Sequence, residues 1–335
     1  MIIDICLVKV ERIVTVCVII CAAILAGCAG KVNKATEVVR PAFSGDTAYL
    51  FIKHQVQMGA RVPGSKPHSA CMLFLVNTLK NYGADVEIQQ GTKLNYAGEE
   101  QVIFNVIGRF GDIHQKNRLL LAAHYDSRPW CDEEPNYDDR FCPLPGANDG
   151  ASGVGVLLEV ARQIAKRDSL PRQAVDIVFF DCEDMGTPSF YTGAEREDTW
   201  CLGAQLFADR MLMYKLAKDY QYGVLLDMVG ASDAVFPKEY FSLQYAGNYV
   251  EKVWRAADRL GYSRYFVQER SYPITDDHYY LNTVAGIPCI DIIHYDMRQE
   301  TGFPYWWHTK QDDMRNIDAT TLQAVGEVIM TLVDN

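Results

Sequence analysis

The sequence predicts an α/β fold: a three-layer α/β/α sandwich around a central mixed, mostly parallel sheet. Short apolar runs at 119–123, 174–180, 223–226 and 287–293 read as strands buried on both faces. Helical stretches separate them at 154–166, 202–218 and 249–260, and a last one at Ala319–Val333 closes the chain. Strand alternating with helix places parallel strands side by side with helices over both faces. An apolar content of 49% is ample for such a core.

Taken in order, residues 1–27 stand apart from this domain. Lys9 and Arg12 precede an apolar run at 13–26 that is broken only by Thr15. The run is shorter than the roughly 20 residues that span a bilayer, so it reads as a signal segment. It ends in Leu25-Ala26-Gly27-Cys28, which resembles the lipobox of bacterial lipoproteins, and that resemblance implies lipidation of Cys28. An exported lipoprotein, periplasmic or on the cell surface and anchored in the outer membrane, is therefore expected. Residues 28–45 are polar and aperiodic, as a tether would be, and 46–335 are expected to form one domain.

From Asp46 the apolar residues Tyr49, Phe51, Ile52 and Val56 recur at near-helical spacing. Residues 61–65 make a turn, and 69–81 an amphipathic helix closed by Gly83. Segments 86–89 and 103–106 are weaker strands near an edge. No repeat or low-complexity segment interrupts the domain.

Forty-three acidic against 32 basic residues give a net charge of −11, which argues against a nucleic-acid partner. Nothing signals an oligomer, so a monomer is expected. Beyond the signal segment and Cys28, the cysteines are Cys71, Cys131, Cys142, Cys182, Cys201 and Cys289, with no CxxC pair. Cys131 and Cys142 bracket a loop that a disulfide could staple, while Cys71 and Cys289 read as buried thiols.

The chemistry lies at the C-terminal ends of the expected strands, where open α/β sheets place their sites. One strand runs into His124-Tyr125-Asp126-Ser127, followed by Gly146-Ala147-Asn148-Asp149-Gly150-Ala151-Ser152-Gly153. The next ends in Asp181-Cys182-Glu183-Asp184, another in Leu226-Asp227-Met228; later come Asp276-Asp277-His278 and Trp307-His308-Thr309. A single such carboxylate is usually solvated or caps a helix, and capping is a full alternative for Asp149. Several on one rim repel one another unless a cation neutralises them. With two histidines beside them, zinc is the natural candidate.

Together these motifs, in this order, resemble the M28 zinc-peptidase family and its glutaminyl cyclase branch, from about Asp46 to the C-terminus. The resemblance implies a zinc-exopeptidase-like fold and one Zn2+ held by Asp149, Asp184 and His308. It implies Glu183 as general acid/base, and Asp227 and Asp276 in a hydrogen-bonded carboxylate network. Trp200 and Trp307 would be pocket aromatics, though core packing explains Trp200 nearly as well. The implied substrates are peptides or proteins with N-terminal glutamine, cyclised to pyroglutamate with loss of ammonia.

A two-zinc aminopeptidase on the same fold is the rival, its second metal taking His124 and Asp227 with Asp149 bridging. Asp184 in place of the peptidases' usual glutamate, and Asp276 where many carry serine, favour the cyclase. A non-catalytic binding lipoprotein is the third reading, disfavoured because every candidate ligand is present. Asp126 either orients His124 or pairs with Arg128. Glu159 reads as an exposed or salt-bridged helix residue, Asp312-Asp313 as a solvated turn that could orient His308, and His54, His68, His114 and His294 as ordinary histidines.

Overall fold

A computed structural model describes residues 39–334 apart from Leu170 and Glu195. The expected signal segment, Cys28 and most of the tether lie outside the described residues. Arg40–Asn335 cluster as one unit. No described helix is long and apolar enough to cross a membrane.

Helix α1 (Gly45–Gln57) begins where Ser44 accepts a hydrogen bond from the Thr47 N–H, and α2 (Lys66–Asn81) where Ser65 does the same for His68. Strands β1 (Asp85–Leu94) and β2 (Glu100–Phe110) form an antiparallel hairpin, paired from Asp85↔Arg109 to Leu94↔Glu100. Both are longer than the sequence suggests. Strand β1 lies at the sheet edge, where half-exposed positions such as Ile88 dilute the apolar signal.

Strands β3 (Arg118–His124), β4 (Val175–Phe180), β5 (Tyr220–Asp227) and β8 (Cys289–Ile293) are the buried ones. The sheet order is β1-β2-β4-β3-β5-β8, with β4, β3, β5 and β8 mutually parallel. It is mixed and mostly parallel, as expected. Short β6 (Phe236–Lys238) and β7 (Phe266–Arg270) pair apart from it.

Period-two alternation splits the core in two. Leu119, Leu121 and Ala123 pack with Val224, Leu226 and Ile292 beneath α1, α2, α3 (Ala151–Ala165), α5 (Tyr240–Arg259) and α7 (Ala319–Val333). Leu120 and Ala122 face the opposite way, against Phe207 and Met211 of α4 (Leu202–Tyr214) and Leu281, just after α6 (Asp277–Tyr280). The α5 helix begins at Tyr240, nine residues before the sequence places it, because Glu239 caps it by accepting from the Phe241 and Ser242 N–H groups.

Candidate metal and acid centre

Three strand ends deliver the first residues of the site: β3 ends at His124, β4 runs into 181–184, and β5 ends at Asp227. Asp149 comes from the turn before α3. Gly150 occupies the cap position of that helix with no side-chain cap bond, so Asp149 is not the cap, and its carboxylate is free to face the cleft.

Two buried carboxylates hold the ligand-bearing turns by gripping successive backbone N–H groups. Asp126 accepts from Glu183 N at 3.1 Å and Asp184 N at 3.2 Å. Asp312 accepts from Asn148 N at 2.8 Å and Asp149 N at 3.1 Å. Asp312 is therefore no solvated turn residue, and it supports Asp149 rather than His308. Asp126 also lies 3.4 Å from His124 Nδ1, whereas Arg128 pairs with Asp132 and Asp184. Of the two readings of Asp126, the orientation of His124 stands.

Asp149, Asp184 and His308 offer ligand atoms that all lie within 4.8 Å of one another. His308 Nε2 is 3.4 Å from Asp184 Oδ1 and 3.6 Å from Asp149 Oδ2. Three ligands of a tetrahedral zinc, each about 2.0–2.2 Å from the metal, lie about 3.3–3.6 Å apart. The Asp184 Oδ2 atom is buried without a hydrogen-bond partner, a costly state that a cation would relieve. Two carboxylates and one imidazole fit a divalent zinc. His124, Asp149 and Asp227 form a second such group, with His124 Nε2 at 3.0 Å from Asp149 and 3.3 Å from Asp227.

The remaining expected residues line the same cavity of about 390 Å³: Glu183, Asp227, Asp276, Trp200 and Trp307. Burial, opposed by His124 and reinforced by Asp276 and Asp184, pushes the Glu183 carboxyl well above the usual range. Burial, with Asp149 and Asp276 nearby, pushes Asp227 up to about 7. Trp307 stacks on His308 at 3.6 Å between ring centroids and on Phe303 at 4.5 Å. Trp200 lies parallel to His308 at 6.3 Å and carries Arg128 on its face, so it belongs to the pocket and not only to the core.

Several site residues escape sequence reasoning. Asp132 chelates the Arg128 guanidinium at 2.6 and 2.7 Å and lies 3.5 Å from His308 Nδ1. Against the cost of burial, Arg128 and His308 hold its carboxyl well below the usual range. Cys201 donates its thiol to Glu183 Oε1 at 3.2 Å. Both sit in loops whose local sequence carries no periodicity. An acid beside a Trp-Cys pair was the only available signal for Asp132. Glu159 is buried and ion-paired to Arg162, and His68 is a buried partner of Asp181 at 2.7 Å.

The model of Peptidase family M28 matches residues 105–333. A Zn-dependent exopeptidase from Parabacteroides distasonis is 44% identical, covering 89% of this chain and 100% of its own, with a TM-score of 0.84. A glutaminyl cyclase from Tannerella forsythia is also 44% identical, covering 88% and 99%, with a TM-score of 0.84. The glutaminyl-peptide cyclotransferase of Bothrops jararaca is 26% identical over 306 residues, 82% of this chain and 76% of its own.

Proposed function

The chain belongs to peptidase family M28, and from that premise we propose that it is a zinc-dependent cyclase converting N-terminal glutamine of peptides to pyroglutamate with release of ammonia. The observation that carries this reading is the acid set Glu183, Asp227 and Asp276 in the cavity of the Asp149–Asp184–His308 triad. A hydrolase needs one base to activate water. Three carboxyls in one cavity, each raised by burial, suit a reaction that must seat one amine and expel another. The glutaminyl cyclase from Tannerella forsythia supports it over nearly the whole fold.

Asp149, Asp184 and His308 would hold one zinc, which when bound supplies Lewis acidity to an amide carbonyl. Glu183 takes a proton from the substrate's α-amine and returns it to the departing ammonia, a task suited to its raised pKa. Asp227 and Asp276 accept hydrogen bonds from the ammonium and hold it toward the γ-amide. The attack is intramolecular, so orientation alone removes much of the barrier. Trp307 and Phe303 line the cavity wall beside His308 and keep water out.

A second reading, aminopeptidase, is favoured by the His124–Asp149–Asp227 group, which could hold another ion, and by the Parabacteroides exopeptidase. Mass spectrometry of a pool of glutamine-, leucine- and alanine-initiated peptides separates the two. Loss of one ammonia from the glutamine peptides alone supports the cyclase; clipped N-terminal residues overturn it. Export with a lipid on Cys28 is a further proposal, resting on the Leu25–Cys28 motif. A Cys28→Ser chain that stayed with the membrane fraction would end it.

A further inference from the structure

The loop between β3 and α3 carries two thiols whose backbones are bonded directly: Cys131 N donates to Cys142 O at 2.8 Å. That single direct bond holds the two backbones side by side, as a bridge spanning roughly 4.4–6.8 Å between Cα atoms requires. Turns close both ends, Glu134 N to Cys131 O at 3.0 Å and Cys142 N to Asp139 O at 3.1 Å. The enclosed segment grips the metal-ligand segment at several points. Asp132 faces His308 Nδ1, Glu133 N donates to His308 O at 3.2 Å, and Glu134 accepts from Lys310 N at 2.8 Å. Lys310 Nζ returns to Asp139 at 2.8 Å.

We propose that Cys131 and Cys142 form a disulfide that fixes the 131–142 loop and, through Asp132, the His308 imidazole. Cys142 is part-exposed and Cys131 buried, so exchange begins at Cys142. Its thiolate attacks a small-molecule disulfide, forming a mixed disulfide and releasing one thiolate. Cys131 then gives up its proton and attacks the Cys142 sulfur, releasing the second thiolate. Both protein thiols are oxidised and the small disulfide is reduced to two thiols. Closing this short loop removes freedom from the reduced loop and restrains the partner that orients the metal-binding ring. The inference is independent of which reaction the site performs.

Arg140 is the only trypsin site between the two cysteines, which makes the bond easy to read. The full chain is incubated with oxidised glutathione, alkylated in denaturant and digested without reduction. The expected product is peptide 119–140 joined to peptide 141–162, lighter by two hydrogens than the sum and separated by dithiothreitol. Recovery of both peptides alkylated, or of glutathione on Cys142 alone, overturns the bond. A chelator should withdraw zinc more slowly from the oxidised than from the reduced protein, and Cys142→Ser should abolish that difference. A linked species with equal zinc loss in both states overturns the coupling to His308.

Discussion

Glu183 is held on three sides: its backbone N–H by Asp126, its carbonyl by Cys201 N at 2.9 Å and its carboxyl by the Cys201 thiol. Changing its charge alone should leave that geometry standing. Glu183→Gln is expected to cut turnover by about 10²–10⁴-fold while zinc content by mass spectrometry stays at the wild-type level. Asp132→Asn should act through the metal instead. Losing the carboxylate behind a ligand histidine is worth about 10–100-fold in affinity, readable by competition with a chelator. The candidate ligands and base were legible because each sits in a short motif, Glu183 and Asp184 just past the end of β4, Asp149 in the turn before α3 and His308 in a turn after β8. Asp132, Cys201 and the gripping role of Asp312 were not, since Asp132 meets His308 across 176 residues, Asp312 meets Asp149 across 163, and Cys201 meets Glu183 only where the chain turns back after 18.

At the level of elements, α3 presses on the sheet through a glycine. A Cβ at Gly153 would lie 2.2 Å from the Leu226 carbonyl oxygen and 2.9 Å from the Ala123 Cβ. Gly153→Ala is therefore expected to cost about 1–3 kcal/mol, measured by denaturant unfolding, and to loosen both Asp149 and Asp227 because they flank that contact. The α2 helix is tied to the end of β4 by His68 and Asp181. Burial opposes the His68 charge, but the hydrogen bond and charge of Asp181 win, and its pKa is raised. A raised folded pKa gives stability present below about 6.5 and lost as pH climbs through the folded value. His68→Gln should flatten that part of the thermal-stability profile; an unchanged slope would show that the pair does not contribute. The buried strands were legible as apolar runs. The β1–β2 hairpin was underestimated because one face of an edge strand alternates weakly; β6 has only three residues, and β7 ends in the exposed polar Gln268-Glu269-Arg270, so neither reads as an apolar run.

Across the whole molecule, the sheet rim gathers Asp149, Glu183, Asp184, Asp227 and Asp276 around one cavity. An unfolded chain keeps such charges apart and hydrated, so without a cation folding must work against their repulsion. A metal that binds only the folded state stabilises it by mass action. Chelation should therefore lower the melting temperature, and added zinc should restore it. The pH dependence gives the sharper test. Burial, with Asp149 and Asp276 close by, raises Asp227 to about 7, and burial likewise raises Glu183 and Asp276. Acids with raised folded pKa values bind protons more tightly in the native state than in the unfolded chain. Their contribution to stability is complete below about pH 4 and lost as pH rises through the folded values. The metal-free protein should accordingly lose melting temperature between about pH 5 and 8, whereas the zinc-bound protein, its rim charge offset by the ion, should change less over the same window. Parallel profiles with and without zinc would mean that the ion does not sit among these carboxylates.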